Sequence, residues 1–340
     1  MSLNKRLVST GIATSPTNAF AVVLYSGNNS TQSITGVGFK PDMVWIKPRN
    51  QVENHTLHDS SRGSTNQLSP NSTSTARDQG STITSFDSDG FTTGSDNNTN
   101  KSGINYVAWC WRANGGTTSS NSDGSITSTV QANDDTGFSI VTYAGNNASN
   151  ATIGHGLSSA PKMVWVKALN HNAGWPSMMT DGTNDFFGFR LNQTSTDAGN
   201  GGVFFNNTRP TSTVVNLGGA DETNDNYNYI AYCFADVDGM QKIDSYVGNG
   251  SANRVITTGF QPDFVFIKSS VGTDHWYIYD TARGFNNGFI SPNSTNAENT
   301  ANQPGISVQS TSWTILSGGV SIGNNVNNNR YYYLAIKKSN

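Results

Sequence analysis

The chain has 340 residues, a net charge of −3, 13% charged residues and 35 glycines. A near-neutral balance with scattered Lys and Arg excludes a nucleic-acid surface, which would carry a basic stripe, and 10% aromatic residues exclude a chain held disordered by charge. The helix formers Ala, Leu, Glu, Lys and Arg are sparse, while strand and turn residues abound, so the fold class is all-β with polar loops.

No apolar run approaches the ~18 residues of a membrane span, so no membrane insertion is expected. Met1–Arg6 holds a basic pair with no apolar stretch behind it, which reads as the absence of a secretory signal. Residues 1–19 contain a turn at Thr14–Asn18 and no alternating run. They form an N-terminal arm that docks on a partner or packs against the unit beginning at Phe20.

One pattern then occurs three times. Each unit opens on a Tyr-x-Gly-Asn turn, at Tyr25–Asn28, Tyr143–Asn146 and Tyr246–Asn249. Each continues into a Pro-led strand, Pro41–Lys47, Pro161–Lys167 and Pro262–Lys268, with Pro at the strand start where no ladder donor is lost. Each closes on an aromatic strand, Tyr106–Trp111, Tyr229–Phe234 and Tyr331–Ile336. The steps between Lys47, Lys167 and Lys268 are domain-sized, beyond the roughly 20–50 residues of a solenoid or propeller blade.

The boundaries are therefore 20–113 for the first repeat, 114–136 for a linker with a small hairpin, 137–236 for the second repeat and 237–340 for the third. Short strands with frequent turn signals point to tandem β-sandwich or jelly-roll-like domains. In the first repeat, Asp89-Gly90 between two β-prone runs marks a hairpin. Period-2 alternation puts Tyr106, Ala108 and Cys110 on one face of the closing strand and Val107, Trp109 and Trp111 on the other. Cys110 and Cys233 hold equivalent places and read as buried thiols rather than a disulfide.

Several constellations invite chemistry. Asp59 with Arg62, and Asp280 with Arg283, recur at one spacing before a glycine; they read as structural turn pairs in which a carboxylate caps backbone donors and holds a guanidinium. His55 and His58 beside Asp59 suggest acid–base chemistry, but only one unit has them. Asp87, Asp89 and Asp96 lack the distal Glu of an oxygen-ligand calcium loop, and Asp221–Asp225 reads as a solvated loop, so no metal is expected. The second repeat lacks the Asp-x-x-Arg pair and carries Trp175, Phe186, Phe187 and Phe189 instead. Two readings stand for these four: a sugar-stacking or docking surface, or core packing, since Phe187 and Phe189 alternate as in a strand.

The segments Tyr25–Asn50, His58–Thr73, Ser85–Asp96 and Ile104–Gly116, with Tyr246–Lys268 and Tyr279–Thr295, resemble a repeated β domain of unknown function. That domain is found in tail-fibre and other virion structural proteins of marine bacteriophages, especially cyanophages. The second repeat matches more weakly. The resemblance implies a non-enzymatic virion protein without cofactor, made in the host cytoplasm. The expected role is a tail fibre or appendage subunit contacting the host. The alternatives are a capsid decoration or capsid-fibre protein and a glycan-cleaving depolymerase. Expected partners are other virion proteins, a host-surface glycan or protein, and further copies of the chain, a trimer by analogy.

Overall fold

Each unit forms the same four-stranded antiparallel sheet, in a computed structural model that describes residues 19–183, 186–195, 201–300, 305–316 and 324–338. The opening strands are Phe20–Ser26, Phe138–Ala144 and Gln241–Val247, and the middle strands are Met43–Pro48, Met163–Ala168 and Phe264–Ser269. The flanking strands are Thr56–Asp59, Pro176–Thr180 and Tyr277–Asp280, and the closing strands are Asn105–Trp111, Asn228–Phe234 and Arg330–Ile336. In space the order is opening, closing, middle, flanking in all three units. The fold is all-β; among the described residues only two one-turn helices occur, Asn97–Asn100 and Gly201–Phe205. The expected N-terminal arm lies outside the described residues except for Ala19.

The closing strand pairs on both edges and is covered on both faces, and the second fact explains its continuous run of large side chains. A strand covered on both faces has no solvent side on which to alternate with polar residues. One face of each closing strand meets a small outer layer. In the first repeat that layer is the sheet of Gln32–Ile34, Gly90–Thr93 and Ile83–Asp87, and Tyr106, Ala108 and Cys110 pack toward it with Ile34, Ile83 and Phe91. In the third it is Arg254–Thr257, Ser312–Ile315 and Ile306–Gln309. In the second, two short strands, Thr152–Gly154 and Val214–Asn216, are joined by Phe204 and Phe205 of the short helix. Both cysteines are free and buried in these outer cores, and burial alone pushes the Cys110 thiol up.

The other face of each main sheet enters a single cluster shared by all three units. Trp45, Trp109 and Trp111 meet Trp165, Tyr232 and Phe234, and both sets meet Phe264, Phe266 and Leu334. Rings cross every boundary: Trp45 stands perpendicular to Trp165 at 5.6 Å, Trp165 lies 5.6 Å from Phe266, and Phe264 lies 5.2 Å from Phe20. The units are two-layered, as sandwiches are, and their large sheets converge on one centre. The 114–136 segment does fold back as a hairpin. Its strands Ser119–Asn121 and Ser128–Asn133 continue the sheet of the second repeat beyond the opening strand.

The repeated Tyr-x-Gly-Asn turn is a lock on the closing strand. Tyr25, Tyr143 and Tyr246 stack on Tyr106, Tyr229 and Tyr331 at 5.0, 5.2 and 5.1 Å. Their hydroxyls donate to the main chain at Thr99, Thr223 and Asn324, each at 2.7 Å. Asn100, Asn224 and Asn325 donate to the side chains of Asn28, Asn146 and Asn249 and to the main chain two residues beyond each. Glycine is required because a Cβ on Gly27, Gly145 or Gly248 would sit 2.2, 2.0 or 2.1 Å from a main-chain oxygen. The acidic turn at Asp87–Gly90 is a plain hairpin, with Asp89 accepting from the Gly36 and Gly38 amides. Gly145→Ala should therefore lower unfolding free energy by about 1–3 kcal/mol, the range for overpacking. Gly80→Ala, with open space around the new methyl, should stay within about 0.5 kcal/mol of wild type; urea titration of the two variants checks both.

Candidate functional site at the seams between units

Asp59, Asp280 and His55, three of the titratable side chains that the sequence singles out, lie where one unit meets the next. The Asp59 carboxylate accepts from the Arg62 amide at 3.0 Å and from Arg62 Nε at 2.6 Å. It also accepts at 2.7 Å from the hydroxyl of Tyr232, on the closing strand of the second repeat. The Asp280 carboxylate repeats this with the Arg283 amide at 2.9 Å and Arg283 Nε at 2.7 Å. Its outside donor is Trp109 Nε1 at 3.0 Å, on the closing strand of the first repeat. Arg283 also meets Glu298, which in turn pairs with Arg49 of the first repeat at 2.7 Å. Each turn pair closes on its own backbone and reaches across a boundary.

Trp109 and Tyr232 hold equivalent places, opposite Trp45 and Trp165 in their sheets; the third repeat has Leu334 there, opposite Phe266. Asp59 and Asp280 likewise face Met43 and Phe264, and the second repeat has Met179 there, facing Met163. Where the carboxylate is lost from the second repeat, its donor is lost from the third. An unmatched buried donor or acceptor would leave a group unsatisfied, and the paired loss avoids that.

A second set of contacts crosses the boundaries in the same donor-to-acceptor sense, from each unit to the one before it. Trp175 Nε1 donates to the carbonyls of Ser69 and Ser72 in the first repeat, and Trp276 Nε1 to that of Arg190 in the second. The equivalent residue of the first repeat is His55, whose Nε2 lies 3.2 and 3.1 Å from the carbonyls of Ser291 and Ser294 in the third. Its Nδ1 accepts from the Trp45 indole at 2.9 Å. An indole only donates and carbonyls only accept, so the ring is neutral with its proton on Nε2. Burial, then the Lys47 charge, holds its pKa well below the usual value. Asn71, Asn192 and Asn293 accept the main-chain N–H of His55, Trp175 and Trp276 and fix all three.

Two of the three repeated lysines belong to the same scheme. Lys167 Nζ donates to the carbonyls of Thr73 and Ala173 at 3.0 and 2.7 Å, and Lys268 Nζ to those of Thr194 and Asp274. Lys47 donates to Pro48. Burial lowers Lys47 and Lys167 to about 8, against the opposing pull of Glu53 and Glu222.

These placements remove the acid–base arrangement that His55, His58 and Asp59 suggest. Asp59 faces the shared centre, while His58 points to the other face of its strand and lies 2.7 Å from the Ser64 carbonyl. Burial first, and then Arg62, lowers His58 to about 3. The aromatic quartet does not assemble a surface either. Trp175 and Phe189 are fully buried in the shared centre. Phe187 is half-buried against Phe189 and Tyr332, and Phe186 packs near Phe205. Glu222 of the acidic loop is held by Arg190 at 2.7 Å. Among the described residues no cluster of three His, Cys, Asp or Glu is placed to hold a metal.

Sequence reading missed Trp109, Tyr232, Arg49 and Glu298 as seam partners. The available signal was the matched departure of two units from the pattern, Met179 in one and Leu334 in the next.

The profile of one family, DUF7483, a domain of unknown function, matches residues 15–339 and so spans all three repeats. No curated protein and no solved structure matches the chain.

Two outcomes are expected at the seams. Tyr232→Phe leaves Asp59 short of a donor and should cost about 1–3 kcal/mol of unfolding free energy, read by urea denaturation. His55 and His58 fold neutral with lowered pKa values, whereas the unfolded chain takes up protons near pH 6.5. Their contribution is thus complete above about 6.5 and is lost as pH falls below it, for His58 toward about 3. The denaturation midpoint should drop between pH 7 and 4, and His58→Gln should flatten that drop; an unchanged slope would show that His58 plays no part.

Proposed function

We propose that this chain, which belongs to the DUF7483 family, is a non-enzymatic structural protein of a bacteriophage particle, a tail fibre or appendage subunit that contacts the host surface. The observation that carries this reading is the disposition of the reactive side chains. His55, Lys167, Lys268 and the Asp59 and Asp280 carboxylates hold one unit to another. The solvent-facing turns present Asn, Ser and Thr. Such turns suit many weak hydrogen bonds to a surface polyol, multiplied by copy number on the particle.

The resemblance of the repeats to phage virion domains supplies the particle. On this reading the chain is made in the host cytoplasm and binds other virion proteins without a cofactor. It assembles with further copies of itself, a trimer by analogy with such appendages. Glycan cleavage asks for two carboxylates facing one cleft, whereas Asp59, Asp280, Glu222 and Glu298 are each engaged by an arginine.

Immunoelectron microscopy of purified particles with antibody against the chain tests the assignment. Label on the tail is the expected result. Label over the capsid shell makes it a decoration or capsid-fibre protein, and particles without label overturn the virion reading.

A further inference from the structure

The third repeat carries a pocket of about 310 Å3 lined by His275, Phe289, Ser291, Asn296, Ala297 and Asn299. We propose that it binds a single neutral pyranose residue of a glycan, which deepens the surface-contact role proposed above and rests on it.

The lining has the chemistry for such a ligand. An aromatic side chain lies beside two carboxamides, a hydroxyl and an imidazole, and none of the lining residues is Asp, Glu, Lys or Arg. Amides and hydroxyls each donate and accept, as sugar hydroxyls do. The nearest carboxylate in sequence, Glu298, is taken by Arg283 and Arg49. The volume stands at the lower bound of ligand pockets, roughly 300 Å3, which suits one ring rather than an extended ligand.

The imidazole is set in advance. Asn293 Oδ1 accepts the Trp276 N–H at 3.1 Å, so its amide nitrogen is the atom that faces His275 Nδ1 at 2.9 Å. Nδ1 therefore accepts, the ring proton sits on Nε2, and that proton is left for a ligand oxygen. The same framework exists in the first repeat, where Asn71 Nδ2 donates to Asn54 Oδ1 at 2.7 Å. There Gln67 replaces the aromatic Phe289 and Arg77 replaces Asn299. In the second repeat Gly174 and Gly188 leave no side chain at the two main positions. The combination of imidazole, aromatic and amides thus belongs to the third repeat alone.

The test is saturation-transfer difference NMR of the full chain with the methyl glycosides of glucose, galactose, mannose and N-acetylglucosamine. At least one should show transfer. Asn296→Ala, at an exposed side chain, and His275→Asn, which installs the residue of the first repeat, should each weaken binding roughly three- to tenfold, the loss of one hydrogen bond. Both should keep the wild-type melting temperature. No transfer from any glycoside, or transfer unchanged in both variants, overturns the proposal.

Binding of labelled chain to cultured marine cyanobacteria is measured in parallel. Wild type and both variants binding cells equally would remove the pocket and leave the host-contact role standing. Sugar transfer without cell binding would keep the pocket and count against these cells as host.

Discussion

Everything in this molecule depends on sheets that are apolar on both faces. A closing strand such as Tyr106–Trp111 has no side that tolerates water, and its unit's small outer layer covers one face only. The remaining face, with Trp45, Trp109 and Trp111 on it, is larger than a solvated sheet sustains. Three such faces cover one another, and the tandem repeat becomes a closed ring of sheets about a common centre.

Closing the ring buries polar groups along its seams, and these select how the units meet. The apolar centre has little directional preference. Asp59 with Tyr232 and Asp280 with Trp109 do, since each carboxylate needs its donor at one place on the next unit. The three seams solve one problem with three side-chain sets: carboxylate with phenol, carboxylate with indole, and the apolar residues Met179 and Leu334. Each solution is internally matched, so the order of units round the ring is written into the pairs. The charges at these seams hold one unit to the next.

Much of this was legible in the sequence. The Tyr-x-Gly-Asn turns, the Pro-led strands and the alternation of Tyr106, Ala108 and Cys110 against Val107, Trp109 and Trp111 gave the units and the two faces of the central strand. What the second face meets was not legible, because a strand covered by its own layer and one covered by a distant repeat have the same period. Trp175 and Phe189 illustrate this. In sequence they stand among Asn, Asp and Gly as loop aromatics stand on a binding surface, and only the arrival of the neighbouring units buries them. The pairing of Asp59 with Tyr232 spans residues no local pattern connects. The pocket at His275 depends on an amide orientation that Trp276 sets through Asn293.

The seam with the most charge is the one that closes the ring. Arg49 meets Glu298 across 249 residues of chain, and Trp109 meets Asp280. During synthesis the first two units can join while the ribosome still holds the third, but the first unit's exposed flank waits for residues 264–298. Contacts so distant along the chain form slowly, since loop closure must precede any gain from them. Until then the parts of Phe20 and Trp111 that meet Phe264 stay uncovered, an aromatic surface of the kind that invites aggregation. In a cell where many copies are made at once, that waiting surface can be met by the third unit of a neighbouring chain. Such an exchange would satisfy the same seams and link chains head to tail, so the geometry that closes the ring within one chain also makes its synthesis sensitive to crowding by its own kind.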